Sequence, residues 1–522
     1  MARHLTKEAK TVGRILLIAL IVGGVGYAAY KFAGPKSEQP GESKSLFSSS
    51  KTKYDATMIV DTYTGWTPIV WGNGGCEGTD NSYFATEFGL KLKIMFIDDF
   101  EACRAALKNG EADFAFVTLD SYPVETSSTG TMTDFRYFMI HNFSAGADAI
   151  VVNKSINTIQ DLKGKRIAFS EGTASHSLLI NTLEAAGLTS NDIIQVKTGY
   201  GTEVAQAFKA KQVDAAVVFT PDDDDCIAAF PKGEIKVLTS TVQANTLITD
   251  GFIAKKEWLE SNPDLVKKII QAMLWANSEI VYGDKYDEAC QAFSMATNVP
   301  VKFVQNVGKK INFATLEDNI NWFGLNPVYP GMTGEKLYNK MARVYTELNL
   351  TRSVLPWYKV STDRFIKELA DNNDLTNNQT AWATREKKFE VATPEIEDKP
   401  AISNKKVIIN FPTNGCTLDY TAKAIIDREF VDIAQQFNQM RIRVEGNTDA
   451  TGNRNYNIEL SKKRAQAVVN YLISEYNMDP NRFITVGNGP KHAEEDGVSG
   501  SNENYRTTDF QLINDFQLIK ED

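Results

Sequence analysis

Residues 161–188 read DLKGKRIAFSEGTASHSLLINTLEAAGL, and the reading of this stretch decides the fold. A short turn at 161–165 leads into an apolar strand at 166–170, then a polar loop, then a helix. Leu179, Leu183 and Ala186 share one apolar helical face, and Gly187 stands where a C-terminal cap belongs. Between strand and helix lies Glu171-Gly172-Thr173-Ala174-Ser175-His176. Gly172 lets backbone approach a ligand, while Thr173 and Ser175 bring hydroxyls to the unpaired amides of a helix start. Such a loop suits a small polar or anionic molecule. The same two hydroxyls also suit simple helix capping, and spacing alone leaves both roles open.

An internal echo indicates two such modules. ALKNGEADFAFV at 106–117 aligns with AFKAKQVDAAVV at 207–218, each a helix end, a polar turn and a buried strand. Each strand runs into a polar loop, at 118–121 in one copy and 220–225 in the other. Ligands of open α/β sheets bind beyond the carboxyl ends of strands, so two facing modules would enclose a cleft closing on a hinge. Strands alternate with helices from residue 57 to residue 241, as a two-lobed α/β fold requires.

These motifs resemble the nitrate/sulfonate/taurine-type substrate-binding proteins of ABC transporters. The resemblance rests on the opening stretch together with TLDSY at 118–122, SAGADAIVV at 144–152 and VDAAVVFTP at 213–221. It spans roughly residues 54–370, with the second lobe at about 145–245, and implies the type II-like periplasmic-binding-protein fold. The solute-binding residues it implies are Trp66, Asp120, Ser144, Thr173, Ser175, His176 and Thr220. Trp66, in a Gly-Trp-Thr-Pro loop, equally suits a core aromatic. Helices from 263 to 369 are expected to pack on the first lobe.

At 522 residues the chain has material for two or three cores. A net charge of −10, with no basic aromatic stripe, excludes nucleic acid as the main partner. Five cysteines (Cys76, Cys103, Cys226, Cys290, Cys416) form no CxxC or zinc pattern. Cys76 and Cys226 fall in loops near the expected cleft, which leaves a disulfide between them conceivable. The acidic run Asp222-Asp223-Asp224-Asp225 suits either a divalent cation or plain solvation. No cofactor, metal or catalytic residue is expected. Thiamin-precursor synthases share the two-lobed fold but use a histidine with a cysteine cluster, which this chain lacks.

Residues 1–14 are basic and residues 15–33 nearly uncharged, approaching the roughly 20 residues that span a bilayer. The expectation is a single-pass inner-membrane anchor with the bulk of the chain in the periplasm; a cleaved signal peptide is the rival. Residues 34–53 are a Ser/Gly/Pro-rich tether and residues 371–404 a second linker. From 405 to 522 the chain is similar to the OmpA-like peptidoglycan-binding domain, on GNTDATGNRNYNIELSKKRA at 446–465. That resemblance implies Asp449, Asn457 and Arg464 as ligands of diaminopimelate in the wall peptide. A forked guanidinium suits its carboxylate and an aspartate its ammonium. The same two residues could also merely brace the fold. Two departures stand out: Asn447 replaces the usual histidine, and the late double arginine is reduced to Arg506. Stator proteins also join a membrane helix to such a module, but they need an acidic residue in that helix, and none lies between Arg14 and Lys31.

The sequence thus reads as a membrane-anchored, peptidoglycan-attached solute-binding protein without enzymatic activity, with an ABC permease as a candidate partner. The alternative is a structural or sensory envelope protein whose binding-protein-like domain recognises a protein partner.

Overall fold

Continuous apolar runs such as Phe114–Thr118 and Ala215–Phe219 sit at the centres of two separate sheets, each strand flanked on both sides. That is where strands covered on both faces belong. The computed structural model describes residues 54–515 except 129, 200, 372–386 and 413. The first lobe begins with β1 (Ala56–Val60), β2 (Leu92–Phe96), β3 (Phe114–Thr118) and β4 (Phe135–Ser144). The second holds β5 (Asp148–Asn153), β6 (Arg166–Ser170), β7 (Ile194–Thr198), β8 (Ala215–Phe219) and β9 (Ile235–Ser240). The chain then returns through β10 (Thr249–Lys255) and β11 (Ile311–Phe313) to the first sheet. The sheet orders are β11-β4-β10-β3-β1-β2 and β7-β6-β8-β5-β9. The strands β1, β2 and β3 run parallel in one lobe, as do β6, β7 and β8 in the other.

Two short crossings join the lobes, between Ser144 and Asp148 and between Ser240 and Thr249. A knot of hydroxyls fastens them together. The Ser144 hydroxyl donates to Asp148 at 2.6 Å and lies 2.7 Å from the Thr241 hydroxyl, which accepts from the Gly146 amide at 2.8 Å. Short paired crossings are what a hinge requires.

The echoed segments occupy equivalent places. Helix Phe100–Asn109 precedes β3 as helix Thr202–Lys209 precedes β8. The opening stretch forms β6 and helix Ala174–Ala185, and Gly187 closes the helix at φ 67°, a left-handed conformation that favours glycine.

The helical segment beyond β10 departs from expectation, because it touches both lobes. In helix Gly334–Glu347, Tyr338 bonds the Thr126 hydroxyl of the first lobe at 2.6 Å. From the same helix, the Tyr345 hydroxyl lies 2.7 Å from that of Ser177 in the second lobe, and Lys340 pairs with Glu184 at 2.7 Å.

The C-terminal module comprises β12 (Ser403–Val407), β13 (Arg441–Asn447), β14 (Phe483–Gly489) and β15 (Thr508–Ile513), in the order β12-β15-β13-β14. Helix Arg454–Tyr476 covers the sheet with Ala465, Val468 and Leu472 buried. The apolar run at 407–411 reads as the first strand, but the strand ends at Val407. The module docks on the second lobe: Ile159 N bonds Ile402 O at 2.8 Å, and the Gln160 amide donates to Asn404 O at 2.7 Å. Lys340 extends the contact by donating to Gln436 at 2.9 Å. The described part of the expected linker also packs down, with Phe389 buried between the guanidinium groups of Arg441 and Arg482.

No helix among the described residues is long and apolar enough to cross a membrane, and the expected anchor at 15–33 lies outside them.

Candidate functional site

A cavity of about 540 Å³ opens where the strands of the two lobes end, large enough for a small organic solute. The first lobe contributes the loop after β1 and the end of β3. The second contributes the start of helix Ala174–Ala185 and the loop after β8. Helix Val301–Gly308 closes one side with Phe303 and Val307. The two echoed strands thus deliver their equivalent last residues, Thr118 and Phe219, to one space, and Thr220 follows directly after.

Ser144, Thr173, Ser175 and Thr220 all line this cavity. The Thr173 hydroxyl donates to Ser170 O and the Ser175 hydroxyl to Val217 O, each at 2.9 Å. Neither caps the helix, so the capping role that spacing left open is not the one taken. A hydroxyl that donates to backbone keeps lone pairs for a ligand. Thr220 accepts from Lys310 at 2.9 Å, and that ammonium also pairs with Asp223 at 3.0 Å, tying the lobes across the mouth.

Trp66, Asp120 and His176 do not line the cavity. Each is almost wholly enclosed behind the wall. Trp66 stacks on His141 with centroids 5.4 Å apart and donates its indole N–H to Asp61 at 2.7 Å. Its aromatic bulk went to the core and its polar edge orients a cavity carboxylate. Asp120 is buried, which pushes its carboxyl up to about 7 against the opposing hydrogen bond from Ser177. His176 stacks on Phe169 at 4.7 Å, and its Nδ1 accepts from the Gly172 amide at 3.3 Å. Burial pushes that imidazole down to about 4, so it serves as a neutral brace for the glycine loop.

Four carboxylates line the cavity: Asp61, Asp98, Asp148 and Asp250. Among the described residues no lysine or arginine lines it, which counts against the expectation of an anionic ligand. Burial raises Asp61 and Asp148 to about 6 each, and raises Asp250 well above the carboxylate range with further repulsion from Asp61, Asp148 and Asp120.

In the C-terminal module Asp449 begins the turn before helix Arg454–Tyr476. Its carboxylate accepts the amides of Thr451 and Asn502, each at 3.2 Å, and both Nε and Nη2 of Arg506, at 2.7 and 2.6 Å. Arg464 spends its donors on Gly415 O at 3.0 Å and Pro412 O at 3.3 Å, and lies over the Phe411 ring at 5.0 Å. Among the described residues it has no carboxylate partner, so Asp449 and Arg464 do not brace each other. Burial and the neighbouring Arg506 charge hold its pKa below the usual guanidinium range. Asn457 is buried and donates to Thr451 O at 2.8 Å, which fixes the turn.

Residues 78–281 match the family described as NMT1/THI5 like, and residues 410–506 match the OmpA family. The chain carries an NMT1/THI5-like domain and an OmpA domain. Over 124 residues it is 31% identical to a provisionally named binding protein of Brucella abortus, covering 24% of this chain and 39% of that one. Over 168 residues it is 30% identical to a provisionally named aliphatic sulfonates-binding protein of Escherichia coli K12, covering 32% of this chain and 50% of the relative. The chain therefore spans half or less of the length of these relatives. Among solved structures, the periplasmic aliphatic sulphonate binding protein of Escherichia coli aligns at a TM-score of 0.47 and 17% identity, over 60% of this chain and 98% of that one.

In the two lobes, none of the four aspartates belongs to the loop motif that marks the cleft in the sequence. Asp61 carried a usable signal, as the first charged residue after the apolar strand Ala56–Val60. Asp148 lies within the quoted SAGADAIVV motif. Asp250 sits inside a strand, where nothing local marks it for the cavity. All five cysteines are free thiols, so the conceivable Cys76–Cys226 bridge is absent. The acidic run opens helix Asp222–Ala228, with Asp223 committed to Lys310. In the OmpA domain, Arg506 takes the partner role for Asp449 that the sequence left unassigned.

Proposed function

We propose that the protein is a cell-envelope solute-binding protein that captures a small polar molecule between its lobes and is held to peptidoglycan by its OmpA domain. One observation carries the reading: the ends of the two echoed strands converge, at Thr118 and at Phe219-Thr220, on a single cavity beside a two-crossing hinge. The names of the matched relatives support solute binding, and ABC-type uptake or sensing with a permease as partner is the role proposed for it. Ser144, Thr173, Ser175 and Thr220 are the proposed polar contacts to solute. Asp449 and Arg464 are the proposed wall contacts, with Arg464, which has no carboxylate partner among the described residues, taking a carboxylate of the diaminopimelate peptide. Asn457 supports the turn that presents Asp449. Residues 15–33 are the proposed inner-membrane anchor, with residues 1–14 in the cytoplasm and the bulk of the chain in the periplasm.

A thermal-shift screen of the chain from residue 54 against sulfonates, nitrate, phosphate and nitrogenous heterocycles tests the solute reading. A specific stabiliser whose effect is lost in Thr173→Val and Ser175→Ala supports it. A blank screen, with envelope proteins co-purifying instead, would favour a scaffold that binds protein.

A further inference from the structure

The cavity is acidic in a way that neither loop motif explains. Asp148 and Asp250 are each nine-tenths buried and face it, while Asp61 and Asp98 complete the wall from the first lobe. Among the described residues none of the four has an ion-pair partner, although 23 ion pairs occur elsewhere in the fold. Neighbouring groups hold the carboxylates in place without neutralising them: Trp66 Nε1 on Asp61, the Thr62 amide and hydroxyl on Asp98, and the Ser144 hydroxyl on Asp148. Lys310, whose ammonium bonds the cavity-lining Thr220, is already paired with Asp223 and Asp224. Buried, unpaired carboxylates that repel one another are costly, and a bound cation removes that cost.

We propose that the cleft selects a solute bearing an ammonium or amidinium group, placed against Asp61, Asp148 and Asp250, with an apolar body against Phe100 and Phe303. The proposal rests on the solute-binding reading and names the chemical class. A bare metal ion fits poorly. The cavity holds many times the roughly 30 Å³ share of one water. Among the described residues, the groups close enough to share an ion are Glu445, His492 and Asp509 of the OmpA domain, not these aspartates. Aromatic walls add attraction for a desolvated organic cation. The start of helix Ala174–Ala185 also borders the cavity, so an anionic group elsewhere on the same solute is compatible with an ammonium at the aspartates.

Isothermal titration of the full chain with benzylamine, benzamidine and benzenesulfonate separates the outcomes, because the three share one ring and differ in charge. The expected result is binding of the amine or amidine, weakened tenfold or more in Asp250→Asn and Asp148→Asn. Asp98→Asn, at an exposed position that tolerates change, should weaken it less, and keeps the test open if the buried variants misfold. Binding of benzenesulfonate with exclusion of both cations overturns the cation assignment and leaves the solute-binding reading standing. Equal affinity for all three, unaltered in the variants, overturns it too. Binding of none of them counts against both.

Discussion

Arg506, not Arg464, holds Asp449: its Nε and Nη2 lie 2.7 and 2.6 Å from one oxygen of that carboxylate. Two guanidiniums therefore share the neighbourhood of a single carboxylate, close enough for Arg506 to lower the Arg464 pKa. The surplus positive charge is what a wall-peptide carboxylate would neutralise. Arg464→Ala should abolish sedimentation with purified peptidoglycan while the domain melts nearly as the parent does. Asp449→Ala should lose sedimentation and also stability, because three hydrogen-bonding groups depend on it. A charge-assisted bond of this kind contributes about 1.5–3 kcal/mol. Both variants sedimenting like wild type would end the anchor assignment.

Lys340 is nearly inaccessible and serves two masters, Glu184 in the second lobe and Gln436 in the C-terminal module. Removing one partner of a buried pair is destabilising by about 3–5 kcal/mol, with the lower end fitting a half-exposed Glu184. Lys340→Met should lower the midpoint of urea unfolding. Unchanged unfolding would show that the module docks without this contact.

The cavity aspartates give binding a pH dependence with a definite sign. Their folded pKa values are raised, to about 6 for Asp61 and Asp148 and about 7 for the adjoining Asp120, chiefly by burial. Each therefore contributes stability that is present below the unfolded value and lost as pH rises through the folded one. Ionisation at the same step creates the charge that a cation needs. Benzylamine, protonated throughout, should bind at least tenfold tighter at pH 7.5 than at pH 5 in calorimetry, and Asp148→Asn should flatten that slope. His141 and His176 are pushed down by burial to about 3 and about 4, so they are neutral across this range and do not oppose the trend. Tighter binding at pH 5 would contradict it.

Residues 15–33 should retain the protein in the membrane fraction. Replacing residues 1–34 by a cleavable export signal should release it from the bilayer while wall association persists. Recovery of native protein beginning near Ala29 would identify a processed signal peptide in place of an anchor.

The sequence by itself determined the periodic parts. The apolar run at 166–170 became a strand and the face of Leu179 and Leu183 a buried helix side, because local pattern dictates which surface must leave water. The echo at 106–117 and 207–218 placed two equivalent strands, and with them the two strand ends that meet at the cavity. Tertiary structure alone decided which side chains face that cavity. Trp66 ends a short 3-10 turn and His176 sits in the first turn of helix Ala174–Ala185, both next to cavity-lining residues, but stacking on His141 and Phe169 turned them into the core. Asp250 sits in an antiparallel strand and Asp148 at a lobe crossing, and only the closing of two sheets on one another brings them beside Asp61. The same holds for Asp449, whose partner, Arg506 and not Arg464, is chosen by where residues 502–506 return to the turn. Period and turn chemistry are written locally, whereas the charge of a cleft is a sum over residues far apart in the chain.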